Sequence, residues 1–359
     1  MSQKHKLVIS TDIGTDVDDA IAVYLAATHP DIDLKGIWVT NGDVETRAMI
    51  AHRLLKYAGK KVPIFVGEAV ALSGKQPFVH GYEKDFAFRE RFEQLRAIQR
   101  DGLAGVIQLL ESEQDIEIAS IAPMTNLARL LKEAPESAKK IKRVYAMACR
   151  ESAGEHNIGY DIPAAVEVFN SQLPITIVSG DICDKFMLDG KPLIYDTPEN
   201  EAVEYIGEMA YAWKMYKIKG HLIEIAKKLD DRMVRSLNGA SKMEIDGFFA
   251  AKDGLRKPIK GLNDLKSRVL VFNAICSKYP ELGDLKRELD RYDPKLFAVH
   301  DAYAIFAITN PESVKTKPCE AKIDAFGHTT LAPYDKHEWV TMVDYDKFKE
   351  FLYKGLHLS

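Results

Sequence analysis

Four aspartates, Asp12, Asp16, Asp18 and Asp19, fall within eight residues of the stretch "STDIGTDVDDA", directly after a short apolar run. Carboxylates that close repel one another. Two charges about 4 Å apart cost roughly 4 kcal/mol at an effective dielectric near 20. N-capping and the positive end of a helix account for Asp18 and Asp19. They do not account for Asp12, which sits where a strand should end. A hard divalent cation would offset all four, because Ca²⁺ takes several carboxylate and other oxygen ligands. The spacing is not that of an EF-hand: counting from Asp12, Val17 and Val23 stand where that loop requires glycine and glutamate. Nor does it suit a phosphatase nucleophile of the DxD type, since Gly14 follows two residues after Asp12.

Other stretches place polar residues at comparable positions. Asn41 lies in "VTNGDVETRA", Thr125 and Asn126 in "IAPMTNLARLL", Glu155 and Asn157 in "GEHNIGYDIPAA", and His300 and Asp301 in "LFAVHDAYAI". Each has an ordinary explanation when taken alone. Asn41 with Gly42 makes a turn, Thr125 and Asn126 cap a helix, and Glu155 and Asn157 occupy a polar loop. A lone histidine such as His300 is commonly a packed residue.

The elements between these stretches explain how they could meet. Runs at Lys6–Ser10, Leu34–Thr40, Val62–Val66, Ile116–Ile121, Arg143–Met147 and Ile175–Ser179 read as strands buried on both faces. Helical periodicity marks Asp19–Thr28, Glu45–Ala58, Ala104–Leu110, Asn126–Lys132 and Ala164–Phe169. The alternation predicts an α/β fold with an open, mostly parallel twisted sheet flanked by helices. Such sheets bind ligands at the carboxyl ends of their strands, where the polar residues lie. Residues 201–289 are helical in pattern, broken at "NGAS" and "DGLRKPIKGLND", and read as an insertion or cap within a single domain over 1–359. A further helix over Val299–Ile308 stops before Asn310–Pro311.

Composition narrows the class. A net charge of −4 gives no global basic field for nucleic acid or an acidic membrane, and the basic stretch Lys252–Arg268 reads as a solvated segment. Cys149, Cys183, Cys276 and Cys319 are widely spaced and form no CxxC pair, which argues against zinc and for a reducing compartment. With no signal-like start and no long apolar stretch, the expectation is a soluble cytoplasmic protein.

Taken in order, these motifs resemble the inosine–uridine preferring nucleoside hydrolase family. That family opens with a strand and a DxDxxxDD-like cluster, here "STDIGTDVDDA". It has an Asn after the second strand, an "LTN" stretch (here "MTN"), an "EFN" stretch (here "EHN") and a closing "HD" at His300–Asp301. The resemblance implies Ca²⁺-dependent cleavage of the N-glycosidic bond of a ribonucleoside, in purine or pyrimidine salvage, by a homodimer or homotetramer. By the same resemblance Asp12 would ligate Ca²⁺ and act as general base. Asp19 and Asp301 would be further ligands, with the Thr125 carbonyl. Asp18 and Asn157 would hold the 2′- and 3′-hydroxyls, Glu155 the 5′-hydroxyl, and Asn41 would line the sugar. His300 would face the leaving base and act as its acid.

Four features depart from the family pattern. Ser10 replaces the first aspartate of D-x-D. Two extra residues, including Asp16, precede Asp18. The loop "CRESAG" lacks the usual Gly-Asn, and Asp161-Ile162-Pro163 replaces Asp-Pro-Glu. These leave open a nucleoside- or sugar-binding protein that has the pocket without the hydrolysis. A metal-dependent phosphohydrolase is a weaker alternative, since no Gly-rich phosphate loop is present. His80, Tyr82 and Trp213 are candidates for the base pocket.

Overall fold

Side-chain alternation along the central strands sends neighbouring residues to opposite faces of one sheet. In β1 (His5–Thr11), Leu7 and Ile9 enter one hydrophobic core and Val8 the other. In β2 (Ile32–Val39), Ile37 and Val39 divide from Trp38 in the same way. A strand packed on both faces needs apolar residues at every position, which is why these runs are continuous rather than alternating. The computed structural model describes residues 4–358, apart from 88–94, 152–153, 197–198, 229–234, 236, 238 and 292–295.

The other strands of this sheet are β3 (Ile64–Val66), β4 (Ile98–Gln99), β5 (Ile116–Ser120), β6 (Arg143–Met147), β7 (Ile175–Val178), β10 (Val314–Ile323) and β11 (Thr329–Val343). Two short strands, β8 (Leu188–Asp189) and β9 (Leu296–Phe297), pair separately. The main sheet runs β10-β11-β7-β6-β5-β1-β2-β3-β4. Every adjacent pair is parallel except β10 with β11. The mostly parallel α/β sheet expected from the sequence is therefore present, with an antiparallel edge that the sequence reading did not include.

Helices Asp18–Thr28, Val44–Tyr57 and Ala302–Thr309 contribute to the core on one face. Helices Gly102–Ser112, Thr125–Glu133 and Ile162–Asn170 contribute to the other. The 201–289 segment holds helices Glu201–Lys228, Lys242–Arg256 and Leu262–Lys278. Its Ile206, Phe248 and Phe272 join the same core as helix Asp18–Thr28. Among the described residues, no helix is long and apolar enough to cross a membrane.

The chain leaves β1 for β2 on one side and later returns to β5 on the other. The carboxyl ends of β1 and β5 thus flank a topological switch point, where a crevice opens. Asn126 closes the floor beside it. Its Oδ1 accepts the Glu68 N–H at 2.9 Å, and its Nδ2 faces the carbonyls of Val39 at 3.3 Å and Trp38 at 3.4 Å. Gly67 allows this approach: a Cβ there would lie 2.3 Å from Asn126 Oδ1. Removing the fully buried Asn126 amide strands backbone groups at the ends of β2 and β3. Asn126→Ala is expected to lower stability by about 1–3 kcal/mol in urea unfolding; a change near zero would show that this stitch carries no weight.

Candidate active site

The loop after β1 is drawn back onto its own strand. Thr11 donates its hydroxyl to Asp19 Oδ1, the Asp12 N–H reaches the same oxygen at 3.2 Å, and the Ile13 N–H reaches Thr11 Oγ1 at 3.1 Å. Gly14 permits the turn with φ of +112°; a Cβ there would meet Ile50 Cδ1 at 2.5 Å. Asp18 and Asp19 then occupy the first turn of helix Asp18–Thr28. Asp301 arrives from the far end of the chain, at the start of helix Ala302–Thr309.

One carboxylate oxygen from each of Asp18, Asp19 and Asp301 lies within 4.8 Å of the others. Two oxygens bound to one Ca²⁺ at about 2.3–2.6 Å span such a separation. The donor set is all oxygen, which suits a hard cation. Electrostatics point the same way. Burial, then Asp16 and Asp12, push the Asp18 carboxyl up to about 7. Burial and neighbouring aspartates raise Asp19 and Asp301 well above the ordinary carboxylate range. This arrangement suits a divalent cation far better than it suits unaided ionisation.

Asp12 stands beside the trio, with Oδ2 accepting the Asn41 Nδ2–H at 2.9 Å. Arg47, on helix Val44–Tyr57, braces both loops. Its Nε donates to the Asn41 carbonyl at 2.6 Å, and Nη1 donates to the carbonyls of Asp12 and Ile13. A cavity of about 110 Å³ opens over these groups, lined among others by Asp12, Asp16, Asp18, Asp19, Glu155, Asn157, His300 and Asp301.

The remaining expected residues are placed as follows. Asn157 lines the cavity and donates through Nδ2 to the Met147 carbonyl at 3.1 Å. Both Glu155 oxygens accept backbone N–H groups, from Asn157 at 2.8 Å and Ile158 at 2.9 Å, so this carboxylate also caps its own helix. Thr125 turns its hydroxyl away from the cluster to Asp161 Oδ2 at 2.6 Å and does not line the cavity. His300 Nε2 lies 3.1 Å from Asp184 Oδ1 in a direction unsuited to a hydrogen bond. Burial lowers the His300 pKa, with Asp184 opposing. Asp16 lines the cavity and accepts the Trp213 Nε1–H at 2.8 Å. Burial raises its carboxyl, while Lys217 and the Trp213 N–H pull it down. His80 Nε2 is 3.7 Å from Asp16, and Tyr82 donates to the Thr15 carbonyl at 2.8 Å.

Sequence reasoning missed Arg47, Phe78 and His156. Arg47 did leave a signal, since 47, 50, 51 and 54 form the buried stripe of its helix. Phe78 and His156 both line the cavity but sit in segments without a periodic pattern.

A model of the inosine-uridine preferring nucleoside hydrolase family matches residues 7–350. The chain is 28% identical over 200 residues to a non-specific ribonucleoside hydrolase of Salmonella agona, covering 52% of this chain and 65% of that protein. It is 28% identical over 214 residues to uridine nucleosidase 1 of Arabidopsis thaliana, covering 54% and 62%. The chain thus spans slightly less than two thirds of the length of these curated relatives. A solved plant nucleoside hydrolase superposes with a TM-score of 0.63 at 19% identity, covering 98% of both chains, which shows a shared fold.

The raised Asp18 pKa fixes a sign for metal-free protein. Its folded value of about 7 lies above its ordinary 3.8, so the folded state holds the proton more tightly. Stability then falls as pH rises from about 4 to about 7. Thermal unfolding in chelator should show Tm declining across that window, and a saturating divalent cation should flatten the slope. A Tm that climbs with pH in chelator would contradict this electrostatic reading.

Proposed function

The chain belongs to the inosine-uridine preferring nucleoside hydrolase family, and on that premise we propose that it hydrolyses the N-glycosidic bond of a ribonucleoside to free base and ribose. The observation that carries this reading is the convergence of buried Asp18, Asp19 and Asp301 at the switch point, with Asp12 held beside them by Asn41.

Asp18, Asp19 and Asp301, together with Asp12 and the Thr125 carbonyl expected from the resemblance, would hold Ca²⁺. When bound, Ca²⁺ would supply Lewis acidity and positive charge beside the ribose diol. The chain's own residues do the rest. Asp12 takes a proton from the attacking water, and the Asn41 amide fixes its carboxylate for that task. Asp18 and Asn157 receive the 2′- and 3′-hydroxyls and Glu155 receives the 5′-hydroxyl. Positive charge develops on the sugar ring in the transition state, and the surrounding carboxylates stabilise it. The cavity of about 110 Å³ is far below a drug-sized pocket of roughly 300–1,000 Å³. It suits a pentose, with the base directed to the part of its lining formed by Phe78, His156 and His300. His300 stands on this leaving-group side. The four cysteines are buried and unpaired, which supports a reducing, cytoplasmic setting. A homodimer or homotetramer acting in nucleoside salvage completes the reading.

One observation favours a binding protein instead. Ser10 replaces the family's first aspartate, and its buried hydroxyl has no hydrogen-bond partner among the described residues. Ribose release separates the two readings. Incubation with purine and pyrimidine ribonucleosides and Ca²⁺ should yield reducing sugar, whereas binding without release would support the alternative. Chelation should abolish turnover and Ca²⁺ restore it, and 2′-deoxynucleosides should fail for want of the diol. Asp12→Asn should lower kcat by about 10²-fold or more with a smaller effect on KM; a near-normal kcat would remove its role as base.

A further inference from the structure

The segment over 72–79 reaches the acid cavity with little packing of its own. Most of its side chains are exposed, Leu72, Phe78 and Val79 among them, yet Phe78 lines the cavity. Apolar burial does not fix this stretch, so its hydrogen bonds must.

Those bonds converge on the segment around Asp161. This residue is fully buried, where helix His156–Tyr160 ends and helix Ile162–Asn170 begins. Its Oδ2 accepts the Leu72 N–H at 2.8 Å and the Thr125 hydroxyl at 2.6 Å, and its Oδ1 accepts the Ser73 N–H at 3.0 Å. The Ser73 hydroxyl donates to the Tyr160 carbonyl at 3.0 Å, and the Tyr160 hydroxyl donates to the Lys75 carbonyl at 3.2 Å. Leu72, Ser73 and Thr125 are all neutral donors. A carboxylate taken out of water with only neutral partners is costly unless each of its donors stays in place. Once satisfied, such a group holds its partners rigidly relative to one another.

Each segment that Asp161 joins carries part of the site. Helix His156–Tyr160 brings His156 and Asn157 to the cavity, and the 72–79 segment brings Phe78. Thr125 opens helix Thr125–Glu133, and its carbonyl is the one expected to face Ca²⁺. Asp161 lies outside the cavity lining and acts through these partners.

We propose that Asp161 is a positioning residue for the reaction, whose buried carboxylate holds Thr125 for the metal and the 72–79 segment for the nucleoside. This rests on the nucleoside hydrolase reading above. It assigns two separable tasks: the bond from Thr125 serves Ca²⁺ affinity, and the bonds from Leu72 and Ser73 serve substrate binding.

Four variants test it, with Ca²⁺ affinity read by calorimetry without substrate and KM read at saturating Ca²⁺. Asp161→Asn keeps the size but turns an amide N–H against at least one donor, because both carboxylate oxygens are occupied. Thr125→Val removes the hydroxyl and keeps the shape, and Thr125→Ser restores the hydroxyl. Leu352→Ala, at a buried position on helix Tyr345–Gly355 outside the cavity lining, controls for lost stability alone. Asp161→Asn should weaken Ca²⁺ binding about tenfold or more and raise the nucleoside KM about tenfold. Thr125→Val should weaken Ca²⁺ binding about tenfold with KM within about twofold of wild type, and Thr125→Ser should stay within about twofold on both. If Asp161→Asn does not fold, the two Thr125 variants decide. Wild-type Ca²⁺ affinity in Thr125→Val, or equal losses in Leu352→Ala, overturns the role of Asp161. Wild-type protein that binds Ca²⁺ but releases no ribose overturns the hydrolase reading instead, and the calorimetry still decides whether Asp161 serves the metal through Thr125.

Discussion

Mutual repulsion among Asp12, Asp16, Asp18, Asp19 and Asp301 is the constraint around which the rest of the structure is arranged. Burial removes the water that would screen these charges, and the raised Asp18, Asp19 and Asp301 carboxyls record the cost. A chain gains nothing in stability from such a cluster. Each nearby device works to hold it in place: the Thr11 hydroxyl on Asp19, the Asn41 amide on Asp12, and the Arg47 guanidinium on the loop carbonyls. Strain of this kind is expected where a divalent ion and a sugar are to be gripped.

Topology makes the gathering possible. The cluster draws on the first strand–helix turn and on a helix that begins at Ala302. These segments meet because β1 lies at the centre of the sheet, between β2 and β5, and helix Ala302–Thr309 packs in the same core as helix Asp18–Thr28. The helical segment over 201–289 adds Trp213, which holds Asp16 at the edge of the cavity. Asp16 and a helix of that segment therefore meet at the cavity.

The parallel sheet and the acids after β1 were legible because central strands are buried on both faces, so apolar runs and the polar residues after them stand out. Asn41 and Asn157 follow from that pattern, whereas His300 and Asp301 stand out as a polar pair opening an otherwise apolar helix. The C-terminal hairpin did not. β10 is an exposed edge strand that carries Pro318 and several lysines, so it has no apolar run to detect. Arg47 was hidden because a buried charge looks like a surface residue until its stripe is counted. The environments of the histidines were also out of reach. His80, His156 and His300 are alike as letters, yet His80 is stacked on Tyr216 beside the Tyr82 hydroxyl, while His156 and His300 both line the cavity.

The most direct test is diffraction from crystals grown with Ca²⁺ and a non-cleavable ribose-bearing ligand. The account predicts an anomalous peak enclosed by the carboxylates of Asp18, Asp19 and Asp301, with the sugar's vicinal hydroxyls on its open side. A ligand seated elsewhere, or a map with no ion among those three acids at saturating Ca²⁺, would contradict it.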